Sequence, residues 1–254
     1  MTSKNSARWR QMMSKAGHGA AGLIVLAVVV SGSARALTVI LPPDINHTDL
    51  HKAADKCDVA KGRTALKALS AATRNEKINR FDRDGYTPLA YAARSGCIDM
   101  VKILIGKGAT VDAMDEHSRW TPLLQAADQR HAEVVRYLLA HGANVNAKAG
   151  FGQTPLTVAM VGTVFRYGPE GNRDATVQAL LSSGADVNLA GKFAWTPLMT
   201  AVFQGDTNLV QLLIRKGADL AARDKNGKTA LDYAVERNEQ EIADILKHNQ
   251  ATTH

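Results

Sequence analysis

A chain of 254 residues with 45% apolar content has room for a buried core, and its formal charge of +7 suggests a nucleic-acid partner. That suggestion fails on where the charge sits. The first 36 residues hold Lys4, Arg8, Arg10, Lys15 and Arg35 and no acid; without them 26 basic side chains face 24 acidic ones, too even a balance for an electrostatic footprint on DNA or RNA.

The first predicted element is an export signal over residues 1–36. A positive stretch ends near Lys15 and His18, and an apolar run follows from Ala20 to Val30. Ser31-Gly32-Ser33-Ala34-Arg35-Ala36 then supplies small residues in an A-x-A arrangement. These are the parts of a secretory signal peptide, with cleavage expected after Ala36. The competing reading is a membrane anchor, but spanning a bilayer takes about 20 apolar residues and this run is nearer 11. Trp9 separates Arg8 from Arg10, which excludes a twin-arginine signal, and no cysteine directly follows the run to carry a lipid. The mature product is expected to be a soluble monomer, periplasmic or secreted, without membrane attachment. Residues 37–48 read as a linker.

A first helical unit is expected over 49–81, with Asp49-Leu50-His51-Lys52-Ala53-Ala54 as one helix and Leu66-Lys67-Ala68-Leu69 as part of a second. From there the chain repeats. Thr87-Pro88-Leu89, Thr121-Pro122-Leu123, Thr154-Pro155-Leu156 and Thr196-Pro197-Leu198 recur, with Thr229-Ala230-Leu231 as a degenerate fifth copy. The threonines stand 34, 33, 42 and 33 residues apart. Gly108-Ala109, Gly142-Ala143, Gly184-Ala185 and Gly217-Ala218 keep the same step, including the long one. Two independent markers in register make a repeat. The units span 82–114, 115–147, 148–189, 190–223 and 224–248, and residues 249–254 form a tail. That makes six units, of which the outer two are caps with a polar face toward water.

Each part of the unit has a physical reason. The Thr can cap a helix by accepting an early backbone amide. Pro fits the first helical position, where no amide partner is needed. Small residues in the first helix, as in Leu89-Ala90-Tyr91-Ala92-Ala93, let neighbouring helices approach closely. The second helix spaces apolar residues at the helical period, as in Val134-Val135-Tyr137-Leu138-Leu139. The Gly of each Gly-Ala pair suits the left-handed residue that ends it.

In TPL-x-x-AA and L-L-x-x-GA-D/N-V-N this sequence resembles the ankyrin-repeat family, over about residues 49 to 248. The resemblance implies an all-α ankyrin-repeat solenoid of about six helix-turn-helix units with hairpin-like loops. It implies a partner that is another protein, met on a concave face built from loop tips and first helices. Exported bacterial proteins that look like this are linked to oxidative-stress defence or to neutralising a periplasmic toxin. One departure stands out. Family repeats often carry His after Thr-Pro-Leu, whereas here the position holds Ala90, Leu124, Thr157, Met199 and Asp232. The side-chain hydrogen bond of that turn is expected to be absent or altered.

The 42-residue step marks an insertion over 162–173, between the two helices of the fourth unit. Its Phe165, Arg166 and Tyr167 are types enriched at binding hot spots; the alternative is a solvated loop that folds back on the stack. Tyr86, Trp120 and Trp195 directly precede their threonines, and Phe151 and Phe193 lie just upstream of theirs. They suit an interface, or equally pack on a neighbouring loop. Cys57 and Cys97 occupy matching inter-helix turns of adjacent units, and an even cysteine count in an exported protein favours pairing. The open question is distance, since a disulfide wants its Cα atoms within about 7 Å and stacked helices lie roughly 8–10 Å apart.

No phosphate loop, zinc-spaced Cys and His set or nucleophile elbow is present in the sequence. Catalytic, cofactor and metal residues are therefore expected to be absent. The leading reading is a periplasmic adaptor or inhibitor in immunity or stress defence. Its rivals are a secreted effector that binds a host protein and an enzyme with a cryptic site.

Overall fold

Five threonines begin five helices in one way. The hydroxyls of Thr87, Thr121, Thr154, Thr196 and Thr229 accept the amides of Ala90, Leu124, Thr157, Met199 and Asp232 at 3.2–3.3 Å. Pro88, Pro122 and Pro197 follow their caps directly, as the cap geometry favours.

The computed structural model describes residues 23–30, 33–40, 49–115, 117–161 and 172–251. The chain divides into two units, Met1–Ile45 and Asn46–His254. In the first, β1 (Leu23–Val30) pairs antiparallel with β2 (Ser33–Ile40). Leu23 faces Ile40 and Val30 faces Ser33 across the ladder, and the expected cleavage residue Ala36 lies in β2 opposite Ala27.

The second unit is helical. In chain order it runs α1 (Asp49–Asp55), α2 (Val59–Lys67), α3 (Ala71–Ile78), α4 (Pro88–Arg94), α5 (Ile98–Gly106), α6 (Pro122–Asp128) and α7 (Ala132–Ala140). It continues with α8 (Pro155–Val161), α9 (Arg173–Ser182), a 3₁₀ turn at Lys192–Ala194, α10 (Pro197–Phe203), α11 (Thr207–Arg215), α12 (Ala230–Glu236) and α13 (Gln240–Ala251). No helix among the described residues is long and apolar enough to cross a membrane.

Helices α4, α6, α8, α10 and α12 have seven residues each, too few to hold as isolated helices. Stacking stabilises them. α4 packs against α6, α6 against α8, and α10 against α8 and α12. Ala92, Ala93, Ala126, Ala127, Ala159, Ala201 and Ala234 are fully buried at these close approaches. The second helices add Met100, Val101, Leu104, Val135, Leu138, Leu180, Val210 and Leu213 to one continuous core. Each ends as its Gly-Ala pair predicts, with Gly108, Gly142, Gly184 and Gly217 at φ between 84° and 93°.

The solenoid read from the repeat is the fold, with two differences of detail. The first unit carries a third helix, α3, capped by Ser70. Arg173 belongs to α9, not to the insertion, because Asn172 caps that helix by accepting the amide of Ala175. The side-chain bond of the turn after Thr-Pro-Leu, expected to be absent or altered, is altered in two units and absent in three. Thr157 and Asp232 each accept the amide of their own capping threonine at 2.8 Å. Ala90, Leu124 and Met199 instead bury apolar side chains there.

Cys57 and Cys97 are joined by a disulfide with Cα atoms 5.4 Å apart. That separation is shorter than the roughly 8–10 Å that divides the axes of packed helices. The bond lies between turns, where Cys57 at φ 52° follows α1 and Cys97 follows Gly96 at φ 72°.

Candidate functional site

Five loops lead into the five Thr-capped helices, and all close with one backbone bond. The amides of Asp82, Asp115, Ala149, Gly191 and Asp224 donate to the carbonyls of Tyr86, Trp120, Gln153, Trp195 and Lys228 at 2.9–3.1 Å. The side chains then divide them into two kinds.

In three loops a buried Asp fills the turn. Asp82 accepts the amides of Asp84 and Tyr86 at 3.0 Å and the Tyr91 hydroxyl at 2.8 Å. Asp115 accepts the amides of His117, Ser118 and Trp120 and the Ser118 hydroxyl at 2.6–3.0 Å. Asp224 repeats the first pattern with the amides of Asn226 and Lys228 and the Tyr233 hydroxyl. Burial works to raise the Asp115 and Asp224 carboxyls, but the donors aimed at them outweigh it and hold both below the ordinary range. Burial and the bond to Asp82 push the Tyr91 hydroxyl above its ordinary value.

The other two loops lack that carboxylate. Ala149 and Gly191 stand in the Asp position, and one ring projects from each loop. Phe151 is 64% exposed and Phe193 51%. Phe193 and Ala194 both lie in the left-handed region, at φ 65° and 59°, which costs a non-glycine residue roughly 1–2 kcal/mol. A cross-loop bond holds the turn there, from the Lys225 amide to the Phe193 carbonyl at 2.9 Å. Gly152 lets the two loops touch: a Cβ on it would meet the backbone nitrogen of Lys192 at 3.0 Å.

Cations gather on these rings. Lys192 Nζ lies 5.1 Å from the Phe151 ring centre and 4.8 Å from that of Phe193, and Lys225 Nζ lies 3.8 Å from the latter. Trp195, half-buried against the core like Tyr86 and Trp120, extends the cluster, 4.7 Å from Tyr233 and 6.0 Å from Phe203. Phe203 is 51% exposed with the Arg237 guanidinium 4.2 Å above it.

The other aromatic candidates lie elsewhere. Tyr86 and Trp120 are half-buried against the core, and Tyr86 stands edge-on to Tyr91 at 5.5 Å. Phe165, Arg166 and Tyr167 fall at 162–171, outside the described residues. Sequence reasoning missed Phe203, Lys192, Lys225 and Arg237. Phe203 had left a signal: in the other units its position, seven residues after the Thr, holds Arg94, Asp128, Val161 and Glu236.

A cavity of about 570 Å³ is an open groove between α11 and α13 lined by Gln211, Ile214, Arg215, Glu241, Asp244, Ile245, His248 and Asn249. It lies away from the aromatic cluster, and its Glu241, Asp244 and His248 keep the helical spacing of a solvated face. No group of three His, Cys, Asp or Glu among the described residues is placed to hold a metal.

Comparison with known proteins agrees with the architecture. A family model described as ankyrin repeats in three copies matches residues 24–115 and 168–254, and one described as ankyrin repeats in many copies matches 106–159. None of the curated proteins compared matches the chain.

Proposed function

The chain belongs to the ankyrin-repeat family, whose repeats form a protein-binding module, and on that premise we propose that it is an exported adaptor or inhibitor. Its partner lands on the loop tips and first helices that carry Phe151, Phe193, Trp195 and Phe203. The observation that carries this reading is the pair of loops in which an exposed ring stands and the organising carboxylate is missing. Rings left in water are poor for stability and good for recognition, since aromatic anchors supply a large share of interface energy, about 2 kcal/mol or more each at a hot spot.

Export rests on two supports. Residues 1–36 have the charge, apolar run and small-residue ending of a signal peptide. The Cys57–Cys97 disulfide suits an oxidising compartment. A periplasmic setting in stress defence or toxin immunity fits both.

Photo-crosslinking tests the face. A photoreactive residue at 151 or 193 should yield a protein adduct in periplasmic extract, and one at Arg136, exposed on α7, should not. Equal labelling from all three positions rules the face out. The mass of the secreted chain tests export: it should begin at Leu37, and an intact N-terminus counts against cleavage after Ala36.

A further inference from the structure

The sign of the charge around the Phe151 and Phe193 rings narrows the partner. The loops at 148–153, 190–195 and 223–228 contain Lys148, Lys192, Arg223, Lys225 and Lys228 against one acid, Asp224. That acid is buried and already accepts the Tyr233 hydroxyl and two backbone amides. Lys228 is paired with Glu236. Lys192, Lys225 and Arg237 make no ion pair among the described residues, and each lies over an exposed phenyl ring. The loops of the second and third units differ in sign as well as in shape, with Asp82 and Asp84 beside Arg83, and Asp115 and Glu116 beside Arg119.

We propose, resting on the protein-binding reading above, that the occupant of the Phe151–Phe193–Phe203 surface is an acidic polypeptide segment carrying apolar side chains. Its apolar groups cover the rings. Its carboxylates meet Lys192, Lys225 and Arg237, which the rings hold in place before the partner arrives, so little side-chain freedom remains to be lost on binding. A basic or neutral segment would leave three cations desolvated without a counter-charge, a penalty that selects against it.

The test uses the full mature chain, immobilised and challenged with a displayed library of random linear peptides. Retained peptides should be enriched in Asp and Glu alongside apolar residues. The double variant Lys192→Glu/Lys225→Glu should weaken the best acidic peptide by about tenfold or more, while Lys107→Glu/Lys216→Glu, the same charge change on exposed helix ends, should not. Peptides that need Phe151 and Phe193 yet show no acid enrichment and ignore the charge reversal overturn the acidic partner and leave the binding face standing. Peptides indifferent to Phe151→Ala/Phe193→Ala overturn the face itself. Retention of no peptide overturns the linear segment, and the photo-crosslinking result then stands alone on whether the face binds protein.

Discussion

Neighbouring regions of the stack use the same loop for different purposes. In the second and third units, Asp82 and Asp115 turn each loop into a closed hydrogen-bonded object, and the Cys57–Cys97 bond ties the first unit to the second. In the fourth and fifth units the backbone closure is the same, but the Asp is Ala149 or Gly191 and a phenylalanine stands in water. A loop already closed by its backbone can lose its carboxylate and stay in place, because the neighbouring loop supplies the missing support. The difference teaches that the loops into the second, third and sixth units, each filled by an Asp, use side chains to hold themselves together, and the two loops without one use theirs to present a surface.

The largest effect is expected at the N-terminal tie. Cys57→Ser/Cys97→Ser opens a loop with a separation of 40 residues and should cost about 4 kcal/mol on chain entropy. Urea unfolding should show it, with capture at the aromatic face unchanged. Loss of capture along with stability would break the division between what holds the fold and what presents a surface. Asp115→Ala removes the acceptor for three amides and a hydroxyl and should cost about 2 kcal/mol. Gly152→Ala places a Cβ against the Lys192 backbone at φ 76° and should cost roughly 1–2 kcal/mol while moving both phenylalanine loops. The smallest effect is expected from Phe151→Ala/Phe193→Ala, within about 0.5 kcal/mol of the parent in stability. A drop of several kcal/mol would show that the rings serve the fold.

Acid sharpens the same contrast. The folded Asp115 and Asp224 carboxyls lie below their ordinary range. Their contribution to stability is therefore full above the unfolded value, about pH 4, and is lost as pH falls through the lowered folded values. Hydrogen exchange at acid pH should accordingly open the 115–120 loop before the 149–153 and 191–195 loops, which hold no such carboxylate. Simultaneous opening would show that the carboxylate is not what closes the loop.

Much of this was legible in one dimension. The Thr caps, the proline starts and the left-handed glycines are local devices, set by neighbours a few residues away, so their spacing alone located the helices. Phe151 and Phe193 could be picked out because no hydrophobic period requires a ring there. Phe203 left a weaker signal, a ring where other units hold Arg94, Asp128, Val161 and Glu236, and its exposure is decided by which turn lies above the end of its short helix. The pairing of Lys192 and Lys225 with the rings was hidden, as it joins residues from separate loops.

By itself the sequence determined the repeat, its helical fold and the positions of its caps, because each of these is decided within one unit. Only the tertiary structure decided that the cysteines come within 5.4 Å at Cα, that Tyr86 and Trp120 lie half-buried while Phe151 and Phe193 stand exposed, and that cations gather over the exposed rings. Those outcomes depend on how one unit lies against the next, a relation between residues some 30 to 40 positions apart that no local pattern encodes.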